Sequence, residues 1–173
     1  MLDITKLLQD AIYLDNQLID QRDLLLGPEG HLREIMVRFD QAMAKCYQPG
    51  FNYGLTQHDS LTHDELVKNY TVALQWMLIF SARKQWTHLV VMKKADYERL
   101  VGADPVDKAT TADQQYLAIK QFMFSAYTTH QQDYYRHAWH LFLKWGLVDL
   151  QLSEKEIMQS HDQLVSSLLS DNN

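Results

Sequence analysis

Apolar residues recur at three-and-four spacing through six stretches of the chain, the period of a helix with one buried face. Ile4, Leu7, Leu8, Ala11, Leu14, Leu18 and Ile19 form the first stripe, and Leu32, Ile35, Met36, Phe39 and Met43 the second. From about Thr62 a third stripe carries Leu66, Tyr70, Ala73, Leu74, Met77 and Leu78. Val67, Val72, Trp76, Ile79 and Phe80 fill its other faces, as expected of a helix surrounded by helices. Tyr116, Ile119, Met123, Ala126 and Tyr127 mark a fourth. Tyr134, Ala138, Leu141, Phe142 and Trp145 mark a fifth, with Gly146 expected as its C-cap. Ile157, His161, Leu164, Val165, Leu168 and Leu169 mark the last. No stretch alternates over strand length.

Breakers fall between these stripes. Gly27, Pro28 and Gly30 form one cluster, Pro49, Gly50 and Gly54 another, and Gly102 with Pro105 a third. Thr62-x-x-Glu65 and Ser153-x-x-Glu156 have the capping-box form, in which hydroxyl and carboxylate satisfy each other's backbone amides at a helix start. Together these signals predict an all-α bundle of five to seven helices with little or no sheet. A length of 173 residues suits one domain, 1–173.

Composition narrows the function. Sixteen basic against 22 acidic residues give a net charge of -6, and the only adjacent basic pairs are Arg83-Lys84 and Lys93-Lys94. That is too little positive charge to follow a phosphate backbone, so no nucleic-acid partner is expected. The longest wholly apolar run, Trp76 to Phe80, falls far short of the roughly 20 residues of a membrane span. Cys46, the one cysteine, excludes an internal disulfide and a cysteine-rich zinc site, and MLDITKLLQD does not read as a signal peptide. A soluble, cytoplasmic protein is expected.

Three stretches, in order, resemble the all-α NTP pyrophosphatase superfamily, and its dimeric dUTPase branch most. LLQDAIYLDNQLID resembles the opening helix with its leucine-aspartate pair, here Leu14-Asp15. DELVKNYTVALQWMLIF resembles the metal helix, and LFLKWGLVDLQLSEKEI the late turn into the last helix. The resemblance implies a homodimer that splits a nucleoside triphosphate into monophosphate and pyrophosphate. It also implies Mg²⁺ held by four carboxylates, an E-x-x-E on one helix and an E-x-x-D on the next. Such oxygen ligands suit the hard dication.

This chain departs from that pattern at the metal. E-x-x-D becomes Glu65-Leu66-Val67-Lys68, and the preceding helix has no E-x-x-E. With Lys45-Cys46-Tyr47 set against the family's helix ending, Asp40 matches a supporting acid while Arg33 and Met36 take the ligand positions. Sliding Glu34 into the first ligand position leaves Val37 in the second, so neither register restores the motif. The uracil-reading glutamine falls on Ala11, and no lysine follows Lys155. Unit charges 4 Å apart interact by about 4 kcal/mol at an effective dielectric near 20, and the term doubles for a dication. Exchanging a carboxylate for Lys68 therefore turns a large attraction into a repulsion. No metal cofactor is expected. Instead Glu65 and Asp40 are expected to meet Lys68 or Arg33 in a buried or half-buried ion network where the metal would have been. A rival arrangement has Lys68, Lys45 and Arg33 bind a phosphate-bearing ligand directly, without metal, and Asp15 of the leucine-aspartate pair is a further ligand-binding candidate.

Other candidates have ordinary readings. His58-Asp59 and His63-Asp64 offer four ligands for a transition metal, but also suit a solvated loop and helix start. Glu65 needs no catalytic role beyond its capping box. His137 and His140 lie one turn apart among aromatic residues, which favours packing over ligation. Cys46 has no neighbour to activate its thiol. Three functions stay open. The first is a degenerate dUTPase-like protein with a binding or regulatory role. The second is an active nucleotide pyrophosphatase with a rearranged Mg²⁺ site of Asp40, Asp64 and Glu65. The third is a structural interaction protein.

Overall fold

The longest apolar stretch of the sequence becomes the axis of the molecule. Helix α3 (His63–Arg83) contains no glycine or proline, and its β-branched Thr71 is accommodated by donating its hydroxyl to the Val67 carbonyl at 2.8 Å. Thr62 opens the helix as a capping box, and Gln85, at φ 59°, turns the chain away beyond its end. Tyr70, Ala73, Leu74, Met77, Leu78 and Phe80 are fully buried, so several faces of α3 are covered. Each large apolar side chain so buried contributes about 1.5–3 kcal/mol.

The computed structural model describes residues 1–22, 27–47 and 60–170. Around α3 stand α1 (Ile4–Arg22), α2 (Pro28–Cys46) and α7 (Glu154–Ser170). The short α4 (Lys94–Val101), α5 (Ala109–Thr129) and α6 (Gln132–Lys144) complete the seven α-helices among the described residues, which include no strand. A 3-10 turn spans Thr87–Leu89. The all-α expectation holds. No helix among the described residues is long and apolar enough to cross a membrane.

Two features fix how the outer helices meet α3. Asn69 donates its side-chain amide to the Lys45 carbonyl at 3.2 Å, while His31, at the other end of α2, meets the same carboxylate as Arg83 at the end of α3. Helix α2 therefore runs antiparallel to α3. Helix α6 reaches α3 through aromatic groups: Tyr135 donates its hydroxyl to the Met77 carbonyl at 2.9 Å, and the Tyr70 ring stacks on Phe142 at 4.6 Å. Trp139, fully buried, donates its indole N–H to the Val90 carbonyl at 3.1 Å. Each buried polar tip thus finds an acceptor, which makes its burial tolerable.

Gly146 does not cap α6. The helix ends at Lys144 and passes into a π turn, Trp145–Asp149, in which the Leu150 N–H donates to the Trp145 carbonyl at 2.8 Å. A Cβ on Gly146 would lie 2.2 Å from Tyr70 Cζ. Glycine is needed because a buried ring occupies the space a side chain would take.

Candidate functional site

The side chains that the sequence nominates do not converge. Glu65 is exposed and closes the α3 capping box: it accepts the Thr62 backbone N–H and hydroxyl, each at 2.8 Å, while Thr62 Oγ1 accepts the Glu65 N–H at 3.3 Å. These bonds hold its carboxyl below the usual range. Lys68 is exposed one turn later, and no ion pair engages it among the described residues. Asp40 is paired at 2.6 Å with Lys120 of α5, whose ammonium also lies over the Tyr116 ring. Arg33, Lys45 and Asp64 are exposed. The ion network expected of Glu65, Asp40, Lys68 and Arg33 is therefore absent.

Helix geometry gives the reason. Lys45 and Asn69 lie side by side on antiparallel helices, so stepping back along each from that contact separates their residues. At 1.5 Å rise per residue Asp40 and Glu65 stand about 13 Å apart along the bundle, and Arg33 stands about 24 Å from Glu65. Neither register weighed for α2 brings its ligand positions opposite Glu65 and Lys68. A shared cation needs oxygen atoms within a few ångströms of one point, so these acids cannot hold one ion together.

Asp15 is engaged by the protein itself. Buried at 5% exposure, it accepts from Arg83 Nε at 2.5 Å and meets His31 Nε2 at 3.0 Å, while Arg83 Nη2 also contacts it and donates to Asn16. This triad joins α1, α2 and α3. Both carboxylate oxygens are occupied, which is what permits a buried charge.

Two nominated residues do share a surface. Asp64 and Lys68 line a cleft of about 490 Å³ between α3 and α7, with Val72 on the α3 side and Glu156, Gln163 and Leu164 opposite. Glu156 closes the second capping box and meets His63 Nε2 at 2.8 Å. The Ser153 hydroxyl and backbone N–H, with His63, draw its pKa down to about 2. Among the described residues Lys68 is the one basic group lining the cleft, whose other walls are carboxylates, amides and hydroxyls with the apolar Val67, Val72 and Leu164.

The remaining candidates take ordinary roles. His63 spends its imidazole on Glu156, and His58 and Asp59 lie outside the described residues. His137 packs on Phe122 at 5.4 Å. Burial, with the charges of His137 and Arg136, pushes the pKa of His140 down. Cys46 donates to the Ala42 carbonyl, and burial pushes its thiol up to about 12, which makes it inert.

What the sequence did not single out is a polar junction of α1, α3 and α7. His161 is fully buried, with Nε2 2.9 Å from Asp10 Oδ2 and Nδ1 2.7 Å from Gln75 Nε2. Lys6 bridges Asp10 and Asp162 at 2.8 and 2.7 Å. Burial works to raise the Asp10 pKa, but bonds from Lys6 and His161 outweigh it and leave the net shift downward. The helical spacing that puts His161 on an apolar stripe conceals this role. No family profile, curated protein or solved structure matches this chain.

Proposed function

We propose that the protein is a binding or regulatory relative of the all-α dUTPases that does not carry out their Mg²⁺-dependent hydrolysis. Three motif-like stretches in family order and an all-helical bundle support the kinship. The dispersal of Glu65 and Asp40, about 13 Å apart along antiparallel helices, carries the rest. Bringing acids so separated to one ion would require unpicking the α3 cap and the Asp40–Lys120 pair. That weighs against the rearranged hydrolase built from Asp40, Asp64 and Glu65.

The cleft between α3 and α7 is the place this proposal gives to a ligand. A nucleotide would set its phosphate against Lys68, which is exposed and engaged by no ion pair among the described residues, and its base against Val72 and Leu164. A ligand that binds only the folded chain raises its melting temperature by mass action. Deoxynucleoside triphosphates in the presence of a chelator should therefore stabilise the wild type, and Lys68→Ala should lose that gain. A chain whose melting point ignores every nucleotide would overturn the nucleotide part of the proposal.

An interaction role has an observation of its own. Leu117 and Phe124, seven residues apart on α5, are 61% and 39% exposed. Spaced by two helical turns, they share one outer face and give the implied homodimer a candidate contact. Sedimentation of the wild type and of Leu117→Lys distinguishes the two states: a dimer through α5 should dissociate in the variant.

A further inference from the structure

The α1–α3–α7 junction uses none of the cleft's lining side chains, although His161 and Asp162 lie between Ser160 and Gln163 of the cleft wall. Asp10, His161 and Asp162 each bring one ligand atom within 4.8 Å of the others. Two of the three are carboxylates, and Lys6 places its ammonium between them at 2.8 and 2.7 Å. Helices α1 and α7 thus define a position for a cation, and the chain fills it with its own. The third ligand is rigid, since His161 is fully buried in the core.

A second observation distinguishes this junction from an ordinary ion-pair cluster. Gln75 is only 5% exposed, its side chain touches His161 Nδ1, and its Oε1 has no hydrogen-bond partner among the described residues. A buried carbonyl left unpaired is costly to the fold. With Gln75 Nε2 donating to Nδ1, the imidazole carries its proton on Nε2 and donates it to Asp10. Turning the Gln75 amide brings Oε1 to Nδ1 and carries the amide NH2 to the place Oε1 held. The imidazole proton then sits on Nδ1, is donated to Oε1, and leaves the Nε2 lone pair facing Asp10 and Asp162. An outer carbonyl that accepts Nδ1–H is how metal-binding histidines are held in the ligating tautomer.

We infer that Asp10, His161 and Asp162 form a site for a divalent transition ion, with Lys6 as the internal cation that occupies it when the ion is absent. One imidazole with two carboxylates suits Zn²⁺ or Mn²⁺, and the nitrogen ligand disfavours Mg²⁺. Charge is conserved sensibly: the dication neutralises both carboxylates, and Lys6, 44% exposed, moves its ammonium into water. Asp162, 59% exposed, is free to close the small gap to metal-ligand distance. The site is independent of nucleotide binding and stands or falls without it.

Titration of the full chain with ZnCl₂ and with MgCl₂, followed by calorimetry and thermal melting, tests this inference. Zn²⁺ should bind and raise the melting temperature, and Mg²⁺ should do neither. Lys6→Met removes the competing cation and should tighten Zn²⁺ binding about tenfold, the gain expected when a site filled nine-tenths of the time is vacated. Asp162→Asn, at an exposed position that keeps the fold, should weaken it about tenfold or more. The ¹⁵N resonance of His161 Nε2 should shift on Zn²⁺ addition. Zn²⁺ affinity unchanged by Asp162→Asn would put the ion elsewhere and overturn the assignment. So would the absence of saturable Zn²⁺ binding by the wild type and Lys6→Met alike. If Lys6→Met fails to fold, the comparison of wild type with Asp162→Asn decides alone.

Discussion

Replacing Gly146 by alanine is expected to destabilise the protein by about 2–4 kcal/mol, through one methyl group. The added Cβ would lie 2.2, 2.3 and 2.4 Å from Tyr70 Cζ, Cε2 and Oη, more than 1 Å inside contact distance by each. The Tyr70 ring has nowhere easy to go. It is fully buried, stacks on Phe142 at 4.6 Å, leans on Trp145 at 6.3 Å, and donates its hydroxyl to the Phe142 carbonyl at 3.3 Å. Moving it forfeits part of a stacking term of about 0.5–1.5 kcal/mol and a hydrogen bond of about the same size. Overpacking strain in the π turn adds about 1–3 kcal/mol. For a chain of this size each kcal/mol lowers the melting temperature by about 2–4 °C, so a fall of roughly 4–16 °C is expected. Urea unfolding followed by circular dichroism measures the free energy, with an unchanged slope showing that the unfolded state is not altered. Tyr70→Leu should cost less in the alanine background than in the wild type, by about 1 kcal/mol or more, because the two changes compete for one space. An alanine variant as stable as wild type, or strict additivity in the double variant, would refute the reasoning.

Three further outcomes follow from the same contacts. Thr62→Ala and Ser153→Ala each remove the hydroxyl of a capping box and should cost about 1 kcal/mol in urea unfolding. Asp15→Ala leaves Arg83 and His31 without their buried partner and should cost about 3 kcal/mol, toward the low end for a buried pair because Arg83 is 34% exposed. Acid should weaken the α7 start in a defined direction. Glu156 has a folded-state pKa of about 2 against an ordinary 4.5, so its stabilisation is complete above the ordinary value and is lost as the pH falls toward 2. The protection of the first-turn amides of α7 against hydrogen exchange, taken relative to the unstructured-chain rate at each pH, should fall between about pH 5 and pH 2, and Ser153→Ala should flatten that dependence.

The helices were legible where a long apolar stripe met a start signal, and less so elsewhere. The stripes beginning at Ile4, Leu32 and Leu66 and both capping boxes appear in the structure as read. Helix α4 was not legible, because eight residues offer too few turns for a period and only Tyr97 among them is buried. Gly146 misled because a glycine after an apolar stripe reads as a cap, whereas here it answers to a ring 76 residues away in sequence. The candidate site fared worse for a reason of packing. One-turn spacing places Glu65 and Lys68 on a helix but says nothing of what faces them, and the antiparallel register of α2 carries Asp40 away. His161 and Gln75 were hidden in apolar stripes, since a polar residue at a core position announces its partner only in three dimensions.

Pyrophosphate release from dUTP and the other deoxynucleoside triphosphates, with Mg²⁺ or Mn²⁺ present, bears most directly on the separation of Glu65 from Asp40. With Glu65 tied to Thr62 and Asp40 to Lys120, the rate should equal that of the protein-free control for every nucleotide. Metal-dependent release by the wild type that disappears in Glu65→Gln would contradict this, because Glu65 would then have to leave its cap and join other acids around an ion.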